Sequence, residues 1–304
     1  MKLNKLSARD KTIFNRYLSL KKHGLSNYAF ENIFIWKGLF EIRWAVIKKS
    51  LCVFFEDNFG LFLYLPPLSK RNDPGVIREV FTLMHSANKN KEVSRIENVE
   101  DGDVSLYEKL NLECRRKSWD YICLSSQIAQ LKGNRFKSQR ASLNYFLKNH
   151  TPQYLPYSGR EKEECLNLYD NWMGRRKAKY KDSLYQGMLS DSRSTLKLAL
   201  DNLKDLNLAC RIIRVKGKLI AFSAGYELNK ESFCILYEIA DLDFKGLAQF
   251  IFSKFCAELS KKYTYVNIMD DSGLENLKAV KLSYHPVRLE PAYIVREGSG
   301  TVLL

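Results

Sequence analysis

Apolar and polar positions along the chain fall into two blocks of similar rhythm. In the first, Ile13, Tyr17 and Leu20 form one stripe and predict a helix over residues 7–22, opened by Ser7 and Asp10 at capping-box spacing. Ser26 to Trp36 predicts a second, aromatic helix. Strands are expected at Glu41–Ile47, Leu51–Glu56 and Leu61–Leu65. Lys48-Lys49-Ser50 joins the first two as a hairpin, and Pro66-Pro67 ends the set. A helix over Val76–Ala87 starts behind Asp73-Pro74. A strand at Val93–Val99, a helix at Val104–Leu110 and a strand at Trp119–Leu124 complete the block.

A basic, partly amphipathic helix comes next over Leu131–His150, and the pattern restarts near residue 150. Gln153–Tyr157 is extended, and helices are predicted at Glu161–Met173 and Ser194–Leu206. An antiparallel meander then runs through Ala209–Val215, Leu219–Leu228 and Ser232–Ala240, with turns at Lys216-Gly217-Lys218 and Asn229-Lys230-Glu231. A helix at Lys245–Lys261 leads to a strand at Tyr265–Met269. The next helix opens at Ser272-Gly273, with Leu274, Leu277, Val280 and Leu282 as its apolar face. His285-Pro286 stops it, and Val287–Val295 is a last strand. The expected architecture is α+β, with two domains, 1–150 and 151–304, each a mixed, mostly antiparallel sheet flanked by helices. The likeness of the halves lies in element order; no residue-level repeat accompanies it.

The chain has 304 residues, 45% of them hydrophobic, which is enough to bury a real core. Its net charge of +15 points to anionic partners: RNA, an acidic membrane surface or phosphate-bearing ligands. Lys132, Arg135, Lys137, Arg140 and Lys148 fall in the Leu131–His150 stretch, which has no acid, and Arg115, Arg116 and Lys117 lie nearby. As function this is an RNA or anionic-lipid contact; as structure it is a helix that buries one face. Seven widely spaced cysteines without a CxxC pair read as reduced core residues, and no metal site is expected. The sequence shows neither an apolar run of transmembrane length nor the apolar core of a secretory signal. The expected location is cytoplasmic, with any membrane contact peripheral at the inner face. P-loop, dinucleotide, HExxH and GxSxG patterns are missing from the sequence. Nothing in it sets the oligomeric state.

Candidate chemistry gathers in the second block. A meander whose last strand feeds a glycine-bearing helix start, Glu238 to Phe255, is the layout of the acetyltransferase (GNAT) fold. Such a helix start presents free N–H groups to a phosphate or carboxylate; Gly246 permits close approach and Lys245 adds charge. An ordinary strand-to-helix turn reads the same way. Glu238, Asp270 and Asp271 stand near strand ends, where they would accept a proton from an attacking amine or hydroxyl, or hold an ammonium group. Asp271 alternatively caps a helix. Lys281 is the candidate cation for developing oxyanion charge. His285, before a proline, is either a further catalytic group or structural.

The tail from Val266, VNIMDDSGLENLKAVKLSYHPVRLEPAYIV, resembles the C-terminal domain of bacterial phosphatidylglycerol lysyltransferases and their soluble relatives. The resemblance is carried by Asn267, Ser272-Gly273-Leu274, Lys281, Pro286 and Glu290-Pro291-Ala292-Tyr293. It is extended by Gly133, Arg140 and Asn144 in the central basic segment, and spans about residues 20–297. It implies two GNAT-like domains in tandem that transfer an aminoacyl group from aminoacyl-tRNA, with no tightly bound cofactor. Acyl-CoA is the alternative donor. The acceptor would be a phosphatidylglycerol-like lipid or another amine or hydroxyl. Asp270-Asp271 departs from the uncharged residues that lipid-modifying members tend to carry there, and their transmembrane flippase half has no counterpart in this sequence. On this resemblance Lys281, Asp270, Asp271, Glu238 and His285 are catalytic candidates. Lys245, Gly246, Asn267, Ser272 and Gly273 would bind the donor, and Arg135, Lys137 and Arg140 the tRNA or anionic lipid. The non-enzymatic alternative is a tRNA- or membrane-binding module.

Overall fold

The computed structural model describes residues 2–298. They form two units. The first holds the described residues through Asp120, then Asp270–Leu274 and the chain from Leu289; the second holds Tyr121–Met269 and Glu275–Arg288. The boundary between these units in the central part of the chain falls at Asp120–Tyr121. The reason is packing: residues 125–149 form helices whose apolar sides, with Ile128, Phe136 and Phe146, are buried in clusters of the second unit.

In the first unit the chain forms β1 (Asn4–Lys5), α1 (Lys11–Leu18), α2 (Phe30–Ile35), β2 (Glu41–Ile47), β3 (Ser50–Glu56), β4 (Leu61–Leu63), α3 (Pro74–Ala87), β5 (Ile96–Glu100), α4 (Asp101–Glu108) and β6 (Leu112–Leu124), whose last residues belong to the second unit. Local chemistry explains the boundaries. Asp10 accepts from the Ser7 N–H at 2.8 Å before α1, and Asp73 accepts from the Gly75 N–H at 2.8 Å with Pro74 at the first position of α3. Val76, Ile77, Val80, Phe81 and Met84 of α3 pack with Cys52, Phe54, Leu63, Ile96 and Val99 of the strands. Each such side chain contributes about 1.5–3 kcal/mol.

The second unit continues with α5 (Ser125–Gln130), α6 (Lys137–Asn149), β7 (Gln153–Pro156), α7 (Lys162–Lys179), α8 (Ser183–Asp201), β8 (Ala209–Val215), β9 (Lys218–Asn229), β10 (Ser232–Ala240), α9 (Leu247–Leu259), β11 (Tyr265–Asn267) and α10 (Glu275–Leu282). The closing strand, β12 (Arg288–Glu297), pairs with β5. Sheet order in the first unit is β1-β2-β3-β4-β5-β12, with the start of β6 next. In the second it is the end of β6, then β11-β10-β9-β8-β7. Among the described residues β4 with β5 and β10 with β11 run parallel, whereas β1–β2, β2–β3, β3–β4, β5–β12, β6–β11, β7–β8, β8–β9 and β9–β10 are antiparallel. In chain order β1 to β6 and β7 to β12 carry the same elements: strand, two helices, three strands, helix, strand, helix, strand. This is a mixed sheet with flanking helices, as expected for an α+β chain.

Candidate active site

The second unit's sheet opens where its two parallel strands part. β10 and β11 pair only at Ser232–Tyr265, Phe233–Val266 and Cys234–Asn267. β11 ends at Asn267, while β10 runs on to Ala240. The chain beyond β11 stays with β6 instead: Ile268 N–H donates to the Tyr121 carbonyl at 3.0 Å, and Tyr121 N–H to the Met269 carbonyl at 3.2 Å. Buried Asn267 fixes this departure, its Oδ1 accepting from the Met269 N–H at 2.7 Å. Met269 is held at φ 61°, a left-handed conformation uncommon for a side chain of its size. Asn267 therefore shapes the opening.

On the other side, β10 is bulged against β9 between Ile235 and Tyr237. The extra residue, Leu236, bends the strand and re-aims the residues beyond it. Gly225 lies opposite; a side chain there would overlap the Cys234 carbonyl. Just past the bulge, on the stretch that β11 no longer covers, is Glu238. Burial pushes its carboxyl up from 4.5 to about 8, and the charge of Lys281 opposes the shift without cancelling it. Lys281, near the end of α10, donates to the Ile268 carbonyl at the point where the strands part, and its Nζ is 5.9 Å from the Tyr121 ring centroid. Tyr284 is buried beside them, its phenol pushed up by burial and by the charge of Glu238. Burial also pushes the Cys123 thiol up to about 12, so it remains a thiol at neutral pH. A carboxyl pushed up to about 8 thus feels the charge of a lysine ammonium held where the strands part.

The other expected site residues take varied places. Asp270 and Asp271 belong to the first unit, and each forms a local turn. The Asp270 Oδ1 accepts from the Ser272 N–H at 3.1 Å and hydroxyl at 3.2 Å; the Asp271 Oδ1 accepts from the Gly273 N–H at 2.9 Å. α10 accordingly begins at Glu275, past the expected Ser272-Gly273 start. His285 Nε2 donates to the Arg135 carbonyl at 3.0 Å, and its ring meets Phe136 edge-on at 5.1 Å, a structural tie between α10 and the turn before α6. Gly246, at φ 88°, lies against α6: a side chain there would overlap the Ser142 carbonyl oxygen. The close approach that glycine permits is taken by protein. Lys245 beside it is exposed, with its ammonium 5.0 Å from the Tyr145 ring centroid. Arg135 and Lys137 are exposed, whereas Arg140 donates to the carbonyls of Leu131 and Gly133 and fastens that loop. Sequence periodicity gives no sign of the bulge at Leu236 or of Tyr121 and Tyr284 as walls, because all three look like ordinary core positions.

The matching place in the first unit is filled. Tyr64, just past β4, donates from its hydroxyl to the Asn32 Oδ1 at 2.9 Å. Asn98 on β5 donates to the Tyr64 carbonyl at 2.9 Å, and the Tyr64 ring stacks on Phe55 at 4.0 Å.

A family model described as phosphatidylglycerol lysyltransferase, C-terminal, matches residues 19–296. A conserved protein of unknown function from Bacteroides thetaiotaomicron is 25% identical, with a TM-score of 0.86 over 97% of this chain and 99% of its own. The structure of L-PGS from Bacillus licheniformis aligns with a TM-score of 0.66 at 16% identity, over 96% of this chain and 93% of its own. The C-terminal domain of a protein described as a putative lysylphosphatidylglycerol synthetase, from Agrobacterium fabrum, gives 0.67 at 13% over the same shares. A tandem GNAT protein from the clavulanic acid biosynthesis pathway matches at a TM-score of 0.54 and 7% identity, over 99% of each chain. No curated protein matches the sequence. Among the described residues, no helix is long and apolar enough to cross a membrane.

Proposed function

Because the chain belongs to the phosphatidylglycerol lysyltransferase C-terminal family, we propose that it is an acyltransferase that moves an aminoacyl group from aminoacyl-tRNA to a hydroxyl or amine acceptor. A phosphatidylglycerol-like lipid is the first acceptor to test. The family supplies the transfer chemistry, and the β10–β11 crevice supplies groups able to perform it. In this account the units are two GNAT-like domains in tandem, and the second carries the reaction. The observation that bears the proposal is that the Lys281 ammonium, held on the Ile268 carbonyl where the strands part, acts electrostatically on Glu238; the equivalent place beside β4 holds Tyr64 and Asn98.

The chemistry rests on those two groups. The acceptor's oxygen or nitrogen attacks the ester carbonyl of the aminoacyl-tRNA. Ionised Glu238 takes the acceptor's proton as the new bond forms. Negative charge gathers on the carbonyl oxygen, and the Lys281 ammonium stabilises it. The intermediate collapses, the ester bond to the terminal ribose breaks, and Glu238 returns the proton to the leaving hydroxyl. Arg135 and Lys137 supply exposed cations for tRNA phosphates or anionic lipid. The start of α9 has one glycine, already packed on Ser142, which weighs against an acyl-CoA donor.

The test uses a bulk tRNA pool charged with radiolabelled amino acids, with and without extracted bacterial lipids. Wild type should move label to an acceptor, and Lys281→Ala should lose transfer while remaining folded. Full activity in Lys281→Ala would sink the role given to that residue.

A further inference from the structure

The first unit contains a cavity of about 800 Å³ formed by α1, the β2–β3 turn and the loop ahead of α3. Its wall carries Arg16, Lys48, Lys49, Lys70 and Arg71, all exposed. Asp73 is the carboxylate in that wall, and it is engaged in capping α3 through the Gly75 N–H. Tyr17 adds a ring face, with the Arg16 guanidinium carbon 5.2 Å from its centroid.

The turn that brings Lys48 and Lys49 there is unusual for its sequence. Ile47 and Ser50 are paired, so only two residues join β2 to β3, and both have positive φ: 45° at Lys48 and 69° at Lys49. That geometry is type I′, which favours Asn-Gly, Asp-Gly or Gly-Gly. The matching turn between β8 and β9, Lys216-Gly217, has glycine at its second position. The first unit instead keeps a lysine where a side chain raises the conformational cost. Fold alone does not ask for that choice. It does place a second ammonium at a cavity already lined with cations. Lys48 is paired with Glu79 at 3.3 Å, on a surface where the carboxylate leaves most of the cationic excess intact.

We propose that this cavity binds the phosphodiester backbone of an RNA strand, with Tyr17 offering a stacking face to one base. A concavity with cations on several walls suits a strand that enters it, whereas a flat bilayer surface would meet only its rim. The identification of that RNA as the donor tRNA rests on the function proposed above; the phosphodiester site does not.

The probe is bulk uncharged tRNA, its binding measured across salt concentration. Two variants are made: Lys48→Asn with Lys49→Gly, and Lys70→Ala with Arg71→Ala. The first pair supplies the residues that a type I′ turn prefers, so its melting temperature should not fall. Each variant should weaken tRNA binding at least about fivefold near 0.1 M salt and flatten the log–log salt slope by about 1 to 2. A control, Lys89→Ala with Lys91→Ala, removes two exposed charges elsewhere in the unit and should bind like wild type. Wild-type affinity in both cavity variants, or an equal loss in the control, would overturn the site. So would variants that keep tRNA binding but lose sedimentation with phosphatidylglycerol vesicles. Cavity-dependent binding in a protein that transfers no label would remove the aminoacyl transfer and leave the site standing. Unaltered binding and transfer in the variants would do the reverse.

Discussion

Replacing Glu238 by glutamine should change how stability depends on pH. A carboxyl raised from 4.5 to about 8 on folding holds its proton in the folded chain at pH values where the unfolded chain has lost it. Folded protein therefore binds more protons than unfolded protein between those limits, and stability falls as pH rises through the window. It is greatest below about 4.5 and reaches its floor above about 8. At about 1.4 kcal/mol per pH unit the full span corresponds to about 5 kcal/mol. Glu238 retains some solvent contact, which screens part of this and leaves ~2–4 kcal/mol. Glutamine keeps the shape and cannot ionise. Urea unfolding from pH 5 to 9 should show wild type losing that amount while Glu238→Gln stays nearly flat, the variant being the more stable protein at pH 8 to 9. Depressed carboxylates such as Glu227 and Glu258 act in the opposite sense, but only as pH falls toward their own range, so the windows are separate. Parallel curves for the two proteins would refute the claim that Glu238 is held protonated by burial.

Gly246→Ala should destabilise the second unit by about 3 kcal/mol or more, because the new methyl meets the Ser142 carbonyl and the backbone is left-handed there; urea unfolding reads this directly. Burial alone would raise the Glu97 carboxyl, yet Lys117 and Arg95 outweigh it and hold the group below its ordinary range. Stability from that cluster should therefore be present above about pH 4.5 and lost as pH falls further, and Glu97→Gln should flatten the acid limb of a urea series carried from about pH 5 down to about pH 2.5. Arg140→Ala should lower the melting temperature, since two loop carbonyls lose their donor. Arg135→Ala, whose side chain is exposed, should leave melting nearly unchanged and weaken tRNA binding measured by filter retention.

Strands built from alternating or continuous apolar residues are legible in the sequence. β2 and the β8–β10 meander lie close to where the pattern puts them. The pattern shows β6 only from Trp119, because Glu113, Arg115, Arg116 and Lys117 make its first half look like a charged loop; they are exposed in the sheet instead. α7 runs on through Arg175–Lys179, past the expected end at Met173, because cations at a helix C-terminus are favourable. α8 begins earlier than expected, where Asp182 accepts from the Tyr185 N–H at 2.7 Å. The division at Asp120 is invisible for a different reason: α5 and α6 are short, and only tertiary packing on α9 assigns them to the second unit. Within the candidate site, Lys281 and Glu238 are legible as charged groups in apolar surroundings. The parting of β10 from β11 is not, because three paired residues and a bulge leave no period in the sequence. His285 and Arg140 draw attention by residue type, and their hydrogen bonds to main-chain carbonyls come from a geometry that spacing does not reveal.

The most direct test of the central claim is the initial rate of label transfer from charged bulk tRNA to an acceptor pool, measured from pH 6 to 9 for wild type and Glu238→Gln. Wild type should transfer label with a rate that climbs toward about pH 8 as Glu238 ionises, and Glu238→Gln should fall at least about a hundredfold with that climb gone. Transfer that is equally fast and equally pH-dependent in the variant, or no transfer by a wild-type protein that binds the charged tRNA, would contradict it.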